Sequence, residues 1–309
     1  MSDDGVVYQA SDLAEGGRIF RELTRDGKPF PARFAIFGDP VAHSKSPQMQ
    51  NAAILANGHD FQYVRIHVLP EDLGEAVTNL EGADFLGINL TIPHKQAAID
   101  FLNEISPEAS LMGAINTIAV RDGKLIGGNT DGPGFAAAVL EEFGVPLESL
   151  RVLILGGGGG AGRAITVQCA LAGSPEIFAA NRTLEKAEIL SEDIAEGLGK
   201  TITPISLAPE ALKNSIADAD LIVNATPLGM KESDPSPLPD GLLTKDHFVY
   251  DTVYSGGKSA LIRQAETAGV KSANGLSMLL HQGALAYEFW FNEKAPLEIM
   301  RAALTSSKN

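Results

Sequence analysis

From about residue 34 onward the chain alternates short apolar stretches with amphipathic ones. Residues 34–37 predict a strand, 47–56 a helix, 61–68 a strand, 73–80 a helix, 85–92 a strand and 94–102 a helix. Residues 115–120 and 124–126 predict two more strands flanking Arg121-Asp122-Gly123, a hairpin turn signal. A second alternation follows a helix expected at 134–143. Residues 152–155 form an unbroken apolar run, the mark of a central parallel strand covered on both faces. A helix at 161–172, a strand at 177–180, a helix at 184–198 and strands at 221–224 and 248–251 come next. Leu276, Leu279, Leu280, Gly283, Tyr287 and Trp290 then fall at helical spacing. Strand, helix, strand throughout predicts an α/β protein with parallel sheets. Residues 1–31 read as an acidic extension with one helical stretch around Leu13 to Leu23, either packed on the body or a partly disordered arm.

Composition narrows the class. A length of 309 residues leaves room for two domains, and 44% hydrophobic with 20% charged residues is a globular balance. No apolar run is long enough to span a membrane, and the start Met1-Ser2-Asp3-Asp4 is acidic, unlike a signal peptide. One cysteine, Cys169, excludes an intramolecular disulfide framework, so a cytoplasmic location is expected. The formal net charge of −15, without a basic run, argues against nucleic acid as a partner. It does not exclude an anionic small molecule held in a locally positive pocket.

Two segments carry candidate chemistry in the first half. In Gly87-Ile88-Asn89-Leu90-Thr91-Ile92-Pro93-His94-Lys95 the alternation predicts a strand with one buried face. Pro93 stops it, leaving Lys95 at the start of the next helix near the strand's carboxyl edge, where ligands bind in open α/β sheets. A lysine there, read with Asn129-Thr130-Asp131, can pass a proton to a reacting oxygen; the alternative is a solvated surface lysine. In His43-Ser44-Lys45-Ser46-Pro47 two hydroxyls suit a carboxylate, or Ser46 is only the N-cap of the helix that Pro47 begins.

In the second half, the apolar strand runs into Gly156-Gly157-Gly158-Gly159-Gly160-Ala161-Gly162-Arg163 and then a helix. Glycines there permit a tight turn and close approach of a pyrophosphate to a helix N-terminus, which makes a dinucleotide site. The next strand ends in Asn181-Arg182-Thr183, where NAD-specific sites carry an acidic residue and an arginine accommodates a 2′-phosphate; this favours NADP. Thr183 is also a plausible helix cap.

Taken in order, these motifs resemble the shikimate dehydrogenase family. The resemblance runs from about Arg33 to the C-terminus. It adds Ala114-Ile115-Asn116-Thr117, Asn224-Ala225-Thr226-Pro227-Leu228-Gly229-Met230, Asp251-Thr252-Val253-Tyr254 and Gly275-Leu276-Ser277-Met278-Leu279 with Gln282. It implies an N-terminal α/β substrate-binding domain (32–131 with about 275–309), a Rossmann-type NADP-binding domain (132–274) and a C-terminal helix returning to the first. The implied reaction is reversible reduction of 3-dehydroshikimate to shikimate by NADPH, without a metal, in the biosynthesis of aromatic amino acids through chorismate.

Carried over residue by residue, the resemblance implies Lys95 and Asp131 as the catalytic pair. Ser44, Ser46 and Tyr254 would meet the substrate carboxylate, and Thr91, Asn116 and Gln282 the ring hydroxyls. Gly157, Gly158, Gly159, Gly160, Ala161, Asn181, Arg182, Thr183, Lys186, Thr252 and Gly275 would bind the cofactor. Departures are Gly156, an extra residue after the strand; Gln50, where the family often has histidine or tyrosine; and Ser255-Gly256 after Tyr254, which suggests a more mobile loop. His43, His94 and His281 read as structural. A monomer or homodimer is expected. The alternatives are a quinate or dual quinate/shikimate dehydrogenase and a non-catalytic NADP-binding sensor, which should have lost Lys95 or Asp131.

Overall fold

The computed structural model describes residues 5–254 and 257–306. The chain divides into two compact units, Met1–Thr130 with Leu280–Asn309, and Asp131–Leu279.

Strands of the first unit are β1 (Val7–Gln9), the small hairpin β2 (Thr24–Arg25) and β3 (Lys28–Pro29), β4 (Ala32–Gly38), β5 (Gln62–His67), β6 (Gly87–Leu90), β7 (Glu104–Ile105), β8 (Thr117–Arg121) and β9 (Lys124–Gly128). All but β2 and β3 form one sheet, in the order β1-β5-β4-β6-β8-β9-β7. The sheet is mixed rather than wholly parallel, because β8 runs antiparallel to both β6 and β9. The reason lies in the turn between β8 and β9. Asp122 and Gly123 both adopt the left-handed conformation (φ 51° and 74°), the pair a two-residue hairpin turn requires.

The helices are α1 (Arg18–Arg21), α2 (Ser46–Ala56), α3 (Leu73–Thr78) and α4 (Pro107–Met112). Leu73, Val77, Leu80 and Phe85 bury one sheet face together with Val64, Ile66 and Ile88. The leading segment is not an arm. Its β1 pairs in parallel with β5, and Leu13 and Phe20 are buried in the same core. It contains no single long helix: a 3-10 helix, Ala10–Gly16, is separated from α1 by the left-handed Gly17.

Two expectations around Lys95 are corrected. All four residues of β6 are buried, so the strand has no solvent face. Asn89 is accommodated because its amide is fully bonded, whereas Ile92, beyond the strand, is 70% exposed. The expected helix at 94–102 is a series of turns followed by a 3-10 helix, Ala97–Phe101. The carbonyl of Lys95 is taken by the N–H of Ile115, outside any local helix.

In the second unit six parallel strands, β10 (Val152–Leu155), β11 (Ile177–Asn181), β12 (Thr203–Ser206), β13 (Leu221–Asn224), β14 (Phe248–Asp251) and β15 (Lys271–Asn274), lie in the order β12-β11-β10-β13-β14-β15. Counted within the unit this is 3-2-1-4-5-6, the dinucleotide-binding order, which opens a crevice at the carboxyl ends of β10 and β13. The helices are α5 (Asp131–Phe143), α6 (Gly160–Ala172), α7 (Leu184–Leu198), α8 (Pro209–Asp218) and α9 (Ala260–Thr267). α10 (Leu276–Phe291) begins in this unit and continues into the first, which ends with α11 (Leu297–Thr305). Among the described residues no helix is long and apolar enough to cross a membrane.

Candidate active site and cofactor cradle

The first unit gathers a chain of buried polar groups that runs from β5 through β6 to the start of β8 and the residues after β9. Tyr63, fully buried in β5, donates its hydroxyl to Asn89 Oδ1 at 2.8 Å. Asn89 Nδ2 donates to the Asn116 carbonyl and to Thr117 Oγ1 at 3.1 and 3.0 Å, and Thr117 Oγ1 donates to Asn116 Oδ1 at 3.0 Å. Asn116 Nδ2 in turn donates to Thr130 Oγ1 at 2.9 Å and to Gln282 Oε1 at 3.4 Å. A backbone carbonyl accepts only, so the bond from Asn89 to the Asn116 carbonyl fixes the direction of the rest. Asn116 and Gln282, predicted to meet ring hydroxyls, thus have oriented amides.

The backbone ties Lys95 to the same frame. Its carbonyl accepts from Ile115 N–H at 2.8 Å, and the Asn116 carbonyl accepts from Leu90 N–H at 2.8 Å. Lys95 is half-buried. Thr91 N–H donates to Phe37, and the Thr91 side chain lies so close to Gly38 that a Cβ there would overlap it. Asn129 donates to the Ala114 carbonyl, and Thr130 N–H to Asn116 Oδ1. Asp131 follows directly as the first residue of α5 and is itself buried.

Ser44 and Ser46 lie at the start of α2, and the N-cap alternative for Ser46 does not hold. Ser46 is inside the helix and Lys45 holds the N-cap position. Ser44 Oγ accepts the N–H of Ser46 at 3.2 Å. With that acceptor site filled, the Ser44 hydroxyl proton is directed elsewhere, which suits an anionic acceptor. Of the three histidines near these motifs, His43 is exposed and His281 half-buried. His94 is buried and donates through Nε2 to the Val68 carbonyl at 2.8 Å.

Sequence reasoning missed the support behind this group. Tyr63, Arg65 and His67 share one face of β5, opposite Val64 and Ile66, which face the core. Arg65 donates to the Ser44 carbonyl, and His67 Nε2 lies 2.8 Å from Asp39 Oδ1. The period-two pattern of polar residues at 63, 65 and 67 was the available signal.

The glycine loop has a defined shape in the second unit. Gly156 is left-handed (φ 86°), and its N–H and that of Gly157 both donate to the Ala180 carbonyl. A Cβ on Gly162 would overlap the Gly156 carbonyl, so α6 packs on the loop only without a side chain there. Gly156 is therefore the turning residue of the loop. A Cβ on Gly158 would come within 3.0 Å of the Lys186 backbone, which sets the loop against the first turn of α7. α6 begins after Gly159 with no side chain capping its amides. Gly156, Gly157, Gly158 and Gly162 have no easy room for a side chain, and the uncapped amides at the start of α6 fit a pyrophosphate.

Beside it, Asn181 Nδ2 donates to the Thr183 carbonyl at 2.8 Å, while Arg182, Thr183 and Lys186 are exposed. Thr183 stands at the N-cap of α7, but its side chain makes no cap hydrogen bond. On the other flank, a Cβ on Gly275 would overlap the Thr252 carbonyl, so these two main chains touch. They rest on buried Asp251, which accepts from Asn224 Nδ2, Val253 N–H and the Ser259 hydroxyl; burial pushes its carboxyl up. Tyr254 is half-buried, and burial pushes its phenol up. Ser255 and Gly256, whose mobility was expected, lie outside the described residues.

Residues 36–118 match the family model of the shikimate dehydrogenase substrate binding domain, and residues 275–305 that of the shikimate 5′-dehydrogenase C-terminal domain. A shikimate dehydrogenase (NADP(+)) from Desulforamulus reducens is 43% identical over 272 residues, 87% of this chain and 93% of the relative. The chain belongs to the shikimate dehydrogenase family. Among solved structures, the Thermus thermophilus shikimate 5-dehydrogenase in complex with NADP(H) and shikimate is 38% identical with a TM-score of 0.77, covering 88% of this chain and 98% of that one. Quinate dehydrogenase from Corynebacterium glutamicum, in complex with NAD, is 28% identical with a TM-score of 0.79, covering 89% and 98%. The family matches enclose Ser44, Ser46, Thr91, Lys95, Asn116, Gly275 and Gln282. NADP, the cofactor of the family, suits the glycine cradle and the exposed Arg182 and Lys186 beside it.

Proposed function

We propose that the protein interconverts 3-dehydroshikimate and shikimate, with Lys95 as proton donor and Asp131 as its orienting partner. The observation that carries this reading is the shared frame of Lys95 and Asn116. Ile115 takes the Lys95 carbonyl, and the next residue holds a side-chain amide oriented by Thr117 and Thr130. An ammonium and a directed amide on one rigid segment can grip a hydroxyl-bearing ring and act on one of its oxygens.

NADPH, when bound, supplies the hydride. As the ketone oxygen gains negative charge, Lys95 donates a hydrogen bond and then its proton, an interaction strongest in the transition state. Ser44 and Ser46 donate hydroxyls to the substrate carboxylate, with Tyr254 assisting. Thr91, Asn116 and Gln282 meet the ring hydroxyls. Gly157 to Ala161 enclose the pyrophosphate, with the uncapped main-chain N–H groups at the start of α6 as donors. Arg182 takes the 2′-phosphate with Asn181, Thr183 and Lys186 around it. Thr252 and Gly275 form the wall on the nicotinamide side.

The test is NADPH formation from shikimate and from quinate, each repeated with NAD. Turnover confined to shikimate and NADP is the expected result. Efficient turnover of quinate would replace this reading with a dual-specificity enzyme, and tight NADP binding without turnover would replace it with a sensor.

A further inference from the structure

The guanidinium of Arg65 is buried at the centre of β5, with the residue only 5% exposed. It lies between Ile36 of β4 and Val7 of β1 in the sheet register. Nε and Nη2 both donate to the Ser44 carbonyl, at 3.1 and 2.6 Å. Its neighbours on the same face hold the start of the same segment and the polar chain at Asn89. His67 reaches Asp39, and Tyr63 donates its hydroxyl to Asn89. Arg65 and His67 therefore support the stretch from Asp39 to Ser44 from one face of one strand, and the support at Ser44 is a permanent charge.

We infer that Arg65 is the positioning residue of the carboxylate subsite: by fixing the Ser44 carbonyl from behind, it aims Ser44 and Ser46 at the substrate's carboxylate. The inference rests on the assignment of those two serines to the carboxylate. Two effects combine. A trans peptide points its N–H opposite its C=O, so anchoring the Ser44 carbonyl on Arg65 turns the Lys45 N–H to the other side, away from the guanidinium. The guanidinium also holds this anchor with two donors in a buried place, where a charge-assisted hydrogen bond is strong. This gives a chain of net charge −15 a local means of selecting an anionic substrate.

The inference is tested by calorimetric dissociation constants for shikimate and its methyl ester in the presence of NADP, with kcat measured in parallel. Arg65→Met is expected to weaken shikimate about tenfold, leave the ester within about twofold and keep kcat within about threefold. Arg65→Lys, which keeps the charge but not the paired donors, should recover part of the preference for the acid. If Arg65→Met weakens acid and ester equally, or weakens neither, the inference is wrong. If Arg65→Met does not fold, Arg65→Lys decides: an acid-to-ester ratio equal to wild type overturns the inference. Ser44→Ala separates the two levels. An unchanged ratio in that variant sinks the carboxylate assignment itself, whereas a changed ratio there with an unchanged one in the Arg65 variants sinks only the role of Arg65.

Discussion

The carbonyl oxygen of Lys95 accepts the N–H of Ile115 at 2.8 Å, joining the turn after β6 to the residue before Asn116. The side chain can therefore be removed without removing what positions the segment. Lys95→Ala is expected to lower kcat by roughly 10²–10⁴-fold, the usual worth of a general acid. Shikimate affinity should stay within about tenfold, because the main interaction is with the transition state. Steady-state kinetics with equilibrium binding checks this, and near wild-type kcat would remove Lys95 from the mechanism.

Arg182 is exposed beside the glycine loop, where little in the fold depends on it. Arg182→Ala should leave thermal stability within about 0.5 kcal/mol of wild type. It should lower the ratio of kcat/KM for NADP to that for NAD by about tenfold or more, as for a lost charge-assisted contact to phosphate. An unchanged ratio would show that the 2′-phosphate is read elsewhere.

Gly162 and the Gly156 carbonyl leave no room for a Cβ between them. Gly162→Val should force α6 off the loop, costing about 1–3 kcal/mol as overpacking does. NADP affinity should fall by more than tenfold. Calorimetry with NADP and thermal denaturation measure the two effects, and wild-type NADP binding in this variant would mean that the loop does not form the cradle.

His94 is buried beside Lys95, and burial pushes its imidazole below the usual histidine value. The Val68 carbonyl and Asp39 pull the other way, and His67 adds to the lowering. Its Nε2–H serves Val68, and among the described residues Nδ1 has no hydrogen-bond partner. A group with a lowered value in the folded state contributes stability above its unfolded value, near 6.5, and loses it as pH falls. The melting temperature should therefore drop on acidification below about pH 6.5. His94→Gln, which cannot titrate, should show a shallower drop over the same range. Parallel pH profiles for the two proteins would assign the acid sensitivity to other groups.

Much of the second unit was legible in the chain. Val152–Leu155 is apolar at every position because both faces are covered, and Gly156, Gly157, Gly158 and Gly162 after it answer to close packing. The first unit was harder to read. Asn89 looked like the solvent face of an alternating strand, yet it is buried because Tyr63, Thr117 and the Asn116 carbonyl complete its hydrogen bonds. Alternation reports side-chain direction but not what lies on each side, so a buried polar network and a wet surface look alike. The helix expected after Pro93 failed for a related reason: the partner of the Lys95 carbonyl is Ile115, twenty residues away in sequence. The Arg65–Ser44 contact links residues 21 apart and leaves no local trace.

β1 also sets the margin of the first unit's sheet. Without it, the six residues of β5 would leave one side of their backbone unpaired and form the margin of the sheet. With it, the margin is a strand of three residues. So short a strip of open N–H and C=O groups is a poor template for a second chain. The leading segment therefore protects the strand that carries Tyr63, Arg65 and His67 from being extended by another molecule, and association of copies through this margin of the sheet is disfavoured.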